Sequence, residues 1–272
     1  MDVLIVGAGS MGTWFGRAVD ASVTFADVDP DAAAAAAEAV GGAVGGDVDS
    51  LAGDGEGRYD AVCLAVPMGA VERAIEAHAD RAERALVDVS GAMAPPLSAM
   101  AERAPDRERV SLHPLFAPER APGSIAVVRD RAGPVTDALL ADLEARGNDL
   151  VETTAAEHDE AMESVQAAAH AAVLAFALAA DPVPEGFETP VYEELRELVE
   201  VVTDGTPRVY ADVQRTFEGA ADVAEAAAAL AAADDDEFAR RYREAAEKWR
   251  DDAADGDRGA DDAGDANGGD GA

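Results

Sequence analysis

Two sets of residues in this chain have the types and spacing that chemistry requires. The first lies in Val3–Gly12, V-L-I-V-G-A-G-S-M-G, where Gly7, Gly9 and Gly12 follow an apolar run and precede a helix-forming segment, Thr13–Val19. Gly7 permits a tight turn, Gly9 removes a side chain where a pyrophosphate would approach the backbone, and Gly12 lets the helix pack closely on its strand. The helix N-terminus then faces the anion. A plain glycine-rich turn is the alternative, but the next expected feature is also present. Twenty residues after Gly7, Asp27 closes the apolar stretch Ser22–Ala26, placed to accept hydrogen bonds from an adenosine ribose and to repel a 2'-phosphate. NAD is therefore expected over NADP. Asp29 is a neighbouring candidate, and Asp31 reads as the cap of the alanine-rich helix behind it. Gly7, Gly9, Ser10, Met11, Gly12, Asp27, Val66 and Pro67 are the expected cofactor contacts.

The second set is the histidines. His113 ends the apolar run Val110–His113 and is pinned by Pro114, a position suited to a general base, with a structural histidine as the alternative. His158 and His170 lie twelve apart on one helical run, with Gln166 one turn before His170, and could share a face. As a metal pair they lack a third ligand at sensible spacing, so no metal site is expected. His158, within E-H-D-E, reads as a residue that caps and orients its turn, and His78 as a residue at a helix end, solvated or answering the C-terminal dipole.

The elements that must hold these residues alternate through the first half. Apolar runs at Val3–Val6, Ser22–Ala26, Asp60–Val66, Ala85–Val89, Val110–His113, Ile125–Val128 and Leu150–Thr153 read as strands. Helical segments are expected at Asp31–Val40, Ala70–Ala79 and Val135–Ala145, while Gly41–Arg58 carries no clear pattern. Such alternation implies an α/β fold with a doubly wound parallel sheet over residues 1–154. From about Ala155 the pattern is helical only, which suggests a second, helical domain over 155–250 that pairs with another copy of the chain. Residues 251–272 contain only Asp, Gly, Ala, Asn and Arg, too little apolar surface to offset chain entropy, and are expected to be a disordered acidic tail.

Composition narrows the partners. Against 56 acidic residues stand 21 basic ones, a net charge of -35, and Lys248 is the only lysine. Such a field excludes nucleic acid as a partner and suits a surface that stays soluble in concentrated salt, as in a halophile. The single Cys63 lies inside the run Ala61–Val66, which fits a core residue and a reducing cytoplasm. No signal peptide is read at the N-terminus, and the apolar stretch Ala167–Ala180 is too short to span a membrane.

Taken together, the motifs resemble the prephenate dehydrogenase family. They are G-A-G-S-M-G, D-V-D-P at 27–30, A-V-P at 65–67, D-V-S-G at 88–91, H-P-L-F-A-P at 113–118, E-H-D-E-A-M at 157–162, Q-A-A-A-H at 166–170 and Y-A-D-V-Q at 210–214. The resemblance covers roughly residues 1–220. It implies a Rossmann domain followed by a helical dimerisation domain, with NAD taking a hydride from the ring carbon that bears the hydroxyl of prephenate. A histidine takes the hydroxyl proton, and carbon dioxide leaves an aromatic ring. By resemblance His113 is the catalytic histidine, and His170 and Gln166 line the substrate pocket. The sequence departs from the family where a serine and a lysine are usual, at Gly91 and Met93, and where an arginine is usual, at Val201. Ser90 stands one place earlier than the usual serine and joins His113 as an expected catalytic residue. Arg208 and Arg215, flanking Y-A-D-V-Q, are the candidate cations for the two substrate carboxylates. Arogenate dehydrogenase, a reductase of the wider 6-phosphogluconate-dehydrogenase-like group, and a non-catalytic dinucleotide-binding regulator are the other readings.

Overall fold

The structure is a computed structural model that describes residues 1–47, 57–184 and 186–261. Its centre is one eight-stranded sheet in the order β3-β2-β1-β4-β5-β6-β7-β8. The strands are β1 Asp2–Val6, β2 Ser22–Asp27, β3 Ala43–Asp47, β4 Tyr59–Leu64, β5 Ala82–Val89, β6 Glu108–Pro114, β7 Ser124–Arg131 and β8 Asp149–Glu152. Helices α1 Ser10–Ala18, α2 Pro30–Val40, α3 Val71–His78, α4 Ala94–Arg103 and α5 Pro134–Ala145 lie between them. Successive β1 side chains serve opposite faces: Val3 and Ile5 pack with Phe15, Phe25 and Leu139, whereas Leu4 and Val6 pack with Ile75, Leu86 and Met100. A strand covered on both sides must be apolar throughout, which is why V-L-I-V shows no alternation.

Three features differ from the sequence reading. The sheet is not wholly parallel: β7 runs antiparallel to β6, with His113 opposite Ala126. Only residues 115–123 join the two strands, too few for the crossover helix that a parallel pair needs. Helix α2 is capped by Asp29, whose side chain accepts from the Asp31 amide, and not by Asp31; Pro30 favours the first helical position and so puts the cap one residue earlier. His78 is buried in the last turn of α3, at the helix end as read but not solvated, and burial, followed by the nearby Arg81, lowers its pKa. The patternless region contains β3, while 48–56 lie outside the described residues.

Beyond the sheet, α6 Ala155–Met162 and α7 Ala169–Ala179 are joined by one π-helical turn, Glu163–Ala168, and continue as α8 Pro190–Thr203 and α9 Pro207–Thr216. The 25 residues Ala155–Ala179 form a helix long and apolar enough to cross a bilayer on those two counts, longer than the apolar run read from the sequence. His158, Met162 and Ala167 nevertheless face inward, and Met162 and Ala167 share a small core with Ala92, Val213 and Phe217. Contacts divide the chain after Ala220. The second unit carries most of α10 Gly219–Ala232 and all of α11 Asp235–Asp261, with Arg240 set between Glu237 and Glu244 on one α11 face. The α11 backbone is helical to Asp261, into the stretch whose composition suggests disorder, and 262–272 lie outside the described residues.

Candidate active site

The carboxyl ends of β1, β2, β4, β5 and β6 bring the candidate residues to one edge, where ligands of such sheets bind. Gly7 adopts φ +103, and a Cβ there would overlap the Ala65 carbonyl oxygen; one at Gly12 would overlap the Gly7 carbonyl oxygen. These two glycines are therefore required by the protein itself. Gly9 differs, because nothing lies within 4 Å of where its Cβ would be, so its missing side chain leaves open space at the N-cap of α1. No side chain caps that helix end, Ser10 is exposed there, and Met11 turns back against the core. Asp27 closes β2 with both carboxylate oxygens already engaged, by the Ala8 amide at 2.6 Å and the Asp29 amide at 2.9 Å. Each oxygen keeps a further lone pair for a ribose hydroxyl. Val66 and Pro67 follow β4 beside the Gly7 turn. An open cradle at Gly9, free helix amides and an acceptor at the end of β2 together fit a dinucleotide.

At the other end of the edge, His113 closes β6 and is buried. Its Nδ1 lies 2.9 Å from His158 Nε2, and its Nε2 lies 3.3 Å from Gln166 Nε2. His158 Nδ1 in turn lies 2.8 Å from Asp159 Oδ1. Burial, and then the neighbouring His158, pull the His113 pKa down to about 3, with Asp159 opposing them, so the ring is neutral at physiological pH. Asp159 also accepts the Met93 amide on Oδ1 and the Ala94 amide on Oδ2, at 3.0 and 3.1 Å. It thereby caps α4, whose own N-cap Met93 supplies no side-chain bond. Partial burial disfavours its charge, but the bonds from His158, Met93 and Ala94 outweigh that and hold its pKa below the usual carboxylate range.

Ser90 does not meet His113. Its hydroxyl lies 3.1 Å from Asp88 Oδ2 and 2.8 Å from the Ala92 carbonyl, while Ser111 donates to the same Asp88 oxygen at 2.8 Å. Burial drives the Asp88 pKa up to about 7 against the hydrogen bonds from Ser111 and Ser90, with nearby Asp159 adding to the rise. A carboxylic proton there suits the hydrogen count, because the one Ser90 hydrogen cannot serve both neighbours. Gly91 is the residue beneath the base: a Cβ on it would stand 3.8 Å from His113 Nε2 and 3.0 Å from Met68 Sδ.

His158 and His170 take different partners, because twelve residues turn a regular helix about 120° past whole turns and a π-helical turn intervenes. His170 packs edge-on against Tyr210, ring centres 4.8 Å apart. The π-helical turn places Gln166 against His113, and Gln214 of α9 donates to the Ala167 carbonyl at 2.9 Å. Arg208 and Arg215 both reach Asp212, and their side chains remain 67 and 70 % exposed. Sequence reasoning missed Asp88 and Asp159. D-V-S-G and E-H-D-E were the available signals, but neither shows that a carboxylate on α6 meets the first amides of α4. An open cleft of about 990 Å³ lies at the opposite edge of the sheet, lined among others by Arg17, Arg58 and Arg146, and the candidate residues do not line it.

No family model matches the chain. The 4-amino-4-deoxyprephenate dehydrogenase of Streptomyces pristinaespiralis is 33 % identical to it over 236 residues, 80 % of this chain and 78 % of that one. The fold resembles prephenate dehydrogenase of Aquifex aeolicus, solved with hydroxyphenyl propionate and NAD+, with a TM-score of 0.67 at 14 % identity over 96 % of this chain and 98 % of that one. It also resembles Synechocystis arogenate dehydrogenase, with a TM-score of 0.56 at 16 % identity over 95 and 99 %. At such identities the likeness speaks for the fold, while the Streptomyces relative speaks for descent. The chain belongs to the prephenate dehydrogenase family and is a dehydrogenase of that type.

Proposed function

We propose that the protein carries out the NAD-dependent oxidative decarboxylation of prephenate to 4-hydroxyphenylpyruvate, with His113 as the base. One observation carries the reading: a buried neutral histidine stands at the same sheet edge as an open glycine cradle. When bound at that edge, a nicotinamide would supply the acceptor for the ring hydrogen and its electron pair. His113 Nε2 would accept the hydroxyl proton; the bond to the ring carboxylate then breaks, its electron pair completes the aromatic ring, and the phenolate oxygen takes the proton back. The buried surroundings keep water from the reacting carbon. Asp27 favours NAD by its charge at the ribose. Ser90 holds the β5 end of the site, His170 and Gln166 line the substrate side, and Arg208 and Arg215 offer guanidinium groups to the substrate carboxylates.

A second reading comes from the Streptomyces relative, whose name gives its substrate an amino group in place of the ring hydroxyl. Gln166 supports it: its Oε1 is buried without a partner and would accept an N–H, whereas its Nε2 would donate to a hydroxyl oxygen. The test is turnover of prephenate, arogenate and 4-amino-4-deoxyprephenate with NAD and with NADP. His113→Asn should lower turnover of the true substrate by about 10²–10⁴-fold with NAD affinity nearly unchanged. Full activity in that variant would make His113 structural.

Two copies pairing through the helical segment complete the reading. Every α7 residue is at least partly exposed, Leu178 is 89 % exposed, and Leu198, Val201 and Val209 lie open on α8 and α9. Sedimentation of a monomer at micromolar concentration would reject that pairing. A cytoplasmic location fits a small-molecule biosynthetic role.

A further inference from the structure

We propose that His158 and Asp159 are positioning residues behind His113, fixing which of its nitrogens is bare and receiving its second proton as the substrate hydroxyl ionises. The inference rests on the reading of His113 as the base and adds the chain of groups that makes it one.

For a neutral His158 the hydrogen count leaves a single arrangement. Backbone amides only donate, so the Met93 and Ala94 amides hold Asp159 as an ionised acceptor. His158 Nδ1 must then carry the hydrogen facing Asp159 Oδ1. A neutral His158 consequently presents a bare Nε2, and His113 Nδ1 must donate to it across 2.9 Å. The bare nitrogen of His113 is therefore Nε2, and the Gln166 amide donates to it at 3.3 Å while no substrate is there. A carboxylate fixed by two amides thus sets the state of a nitrogen two rings away.

The same chain answers a difficulty of the site. A desolvated imidazolium at His113 is unfavourable, so a base that kept both protons would be weak. As the substrate O–H bond breaks and Nε2–H forms, the Nδ1–H bond can break and a bond to His158 Nε2 form. The positive charge then rests on His158, whose other nitrogen already faces a carboxylate. Once carbon dioxide has left, the phenolate oxygen takes the Nε2 proton back and the Nδ1 proton returns from His158. The charged and titratable groups beside this chain are His158 and Asp159 on α6 and, facing Asp159 from β5, Asp88; Gln166 and Met68 are neutral.

The test has one arm without substrate and one with it. In ¹⁵N-imidazole NMR of the full chain alone, His113 should show a protonated Nδ1 and a bare Nε2. A proton found on Nε2 overturns the proposal whatever the protein acts on. Asp159→Ala removes the acceptor that holds the His158 Nδ1 hydrogen, so neither ring keeps a fixed tautomer. The single His113 pattern should give way to a mixture of the two tautomers, and kcat should fall at least a hundredfold with KM within threefold. His158→Gln offers a carbonyl to His113 Nδ1–H but cannot take its proton. It should keep the wild-type nitrogen pattern and recover more than tenfold of the kcat lost in His158→Phe, with the acid limb of the kcat–pH profile displaced. A folded Asp159→Ala variant with kcat within threefold of wild type overturns the proposal. A wild-type protein inert toward all three substrates overturns the base reading instead, while its nitrogen spectrum still decides the hydrogen-bond chain.

Discussion

The two ends of the sheet's carboxyl edge reach their geometry by different routes. At the glycine end, β2, β1 and β4 lie side by side, and the ladder alone brings Asp27 to the Ala8 amide and the Gly7 turn to Ala65. At the histidine end, β6 supplies His113, but its partners come from helices 45 and 53 residues further on. The first end depends on strand pairing, which the core enforces; the second depends on how α6 and the π-helical turn dock. Damage at the glycine end should therefore cost stability first, and damage at the histidine end should cost chemistry first.

The sharpest version of that contrast lies within the glycine turn itself. Gly7→Ala forces a left-handed backbone and a clash with the Ala65 carbonyl, which together cost roughly 2–5 kcal/mol. Gly9→Ala meets nothing within 4 Å, so its stability should change by less than about 1 kcal/mol. Its NAD affinity should nevertheless fall at least tenfold, because the new methyl group occupies the space left for the pyrophosphate. Denaturant midpoints and NAD titration of the pair decide this. Equal stability of the two variants would break the distinction between a glycine needed by the fold and one needed by the ligand.

Asp88 tests the middle of the edge. Its pKa is raised from 3.8 to about 7, so the folded state holds a proton that the unfolded chain has released. Stability from this group is full below about pH 4 and is lost as pH rises through 7, by up to about 4 kcal/mol for a shift of some three units. His113 works in the opposite sense: its lowered pKa means that stability is lost as pH falls from 6.5 toward 3. Asp88→Asn should abolish the loss on the alkaline side and leave the acid side in place. A midpoint-versus-pH curve for the variant that still declines between pH 4 and 7 would show that Asp88 is ionised in the folded protein.

These differences also explain what could be read from the residues alone. The V-L-I-V-G-A-G-S-M-G turn, Asp27 and the apolar runs are local patterns whose meaning does not depend on a distant partner, and the structure places them as read. H-P-L-F-A-P located His113 for the same reason. What could not be read depends on docking or on chain length between elements. The reversal at β7 follows from a short connection, and the burial of His78 from packing. The Asp159–His158–His113 chain follows from a contact between α6 and the start of α4, which no spacing encodes. Gly91 and Ser90 show the limit most plainly, because a one-residue shift that looks harmless in sequence turns the hydroxyl toward Asp88 instead of His113.

A smaller effect is expected from Asp27→Ala. Two backbone amides lose their acceptor, at a cost of about 1–2 kcal/mol, since the turn can reach water. The preference for NAD over NADP should narrow about tenfold, because the repulsion of a 2'-phosphate disappears with the ribose acceptor. Dissociation constants for both cofactors measure this directly. An unchanged ratio would mean that Asp27 serves the turn and not the ribose, leaving Asp29 as the remaining acid at that strand end.

The smallest change in stability is expected on α9, where Arg208 and Arg215 share Asp212. The carboxylate is nearly buried while both guanidinium groups lie largely in solvent, and exposed pairs of this kind contribute roughly 0–1 kcal/mol. Removing one should therefore move the thermal midpoint only slightly. Its effect on substrate should be larger if the arginine meets a substrate carboxylate, because a charge-assisted pair is worth about 1.4 kcal/mol or more, a tenfold rise in KM. Arg215 is the stronger candidate: it follows Gln214, which is tied to the π-helical turn beside His113, whereas Arg208 follows the Gly205–Pro207 turn. Arg215→Gln should raise KM at least tenfold with kcat and NAD affinity unchanged, and Arg208→Gln should do less. If both variants keep KM within twofold, the arginines answer Asp212 alone, and α9 contributes to the site through Tyr210 against His170 and through Gln214.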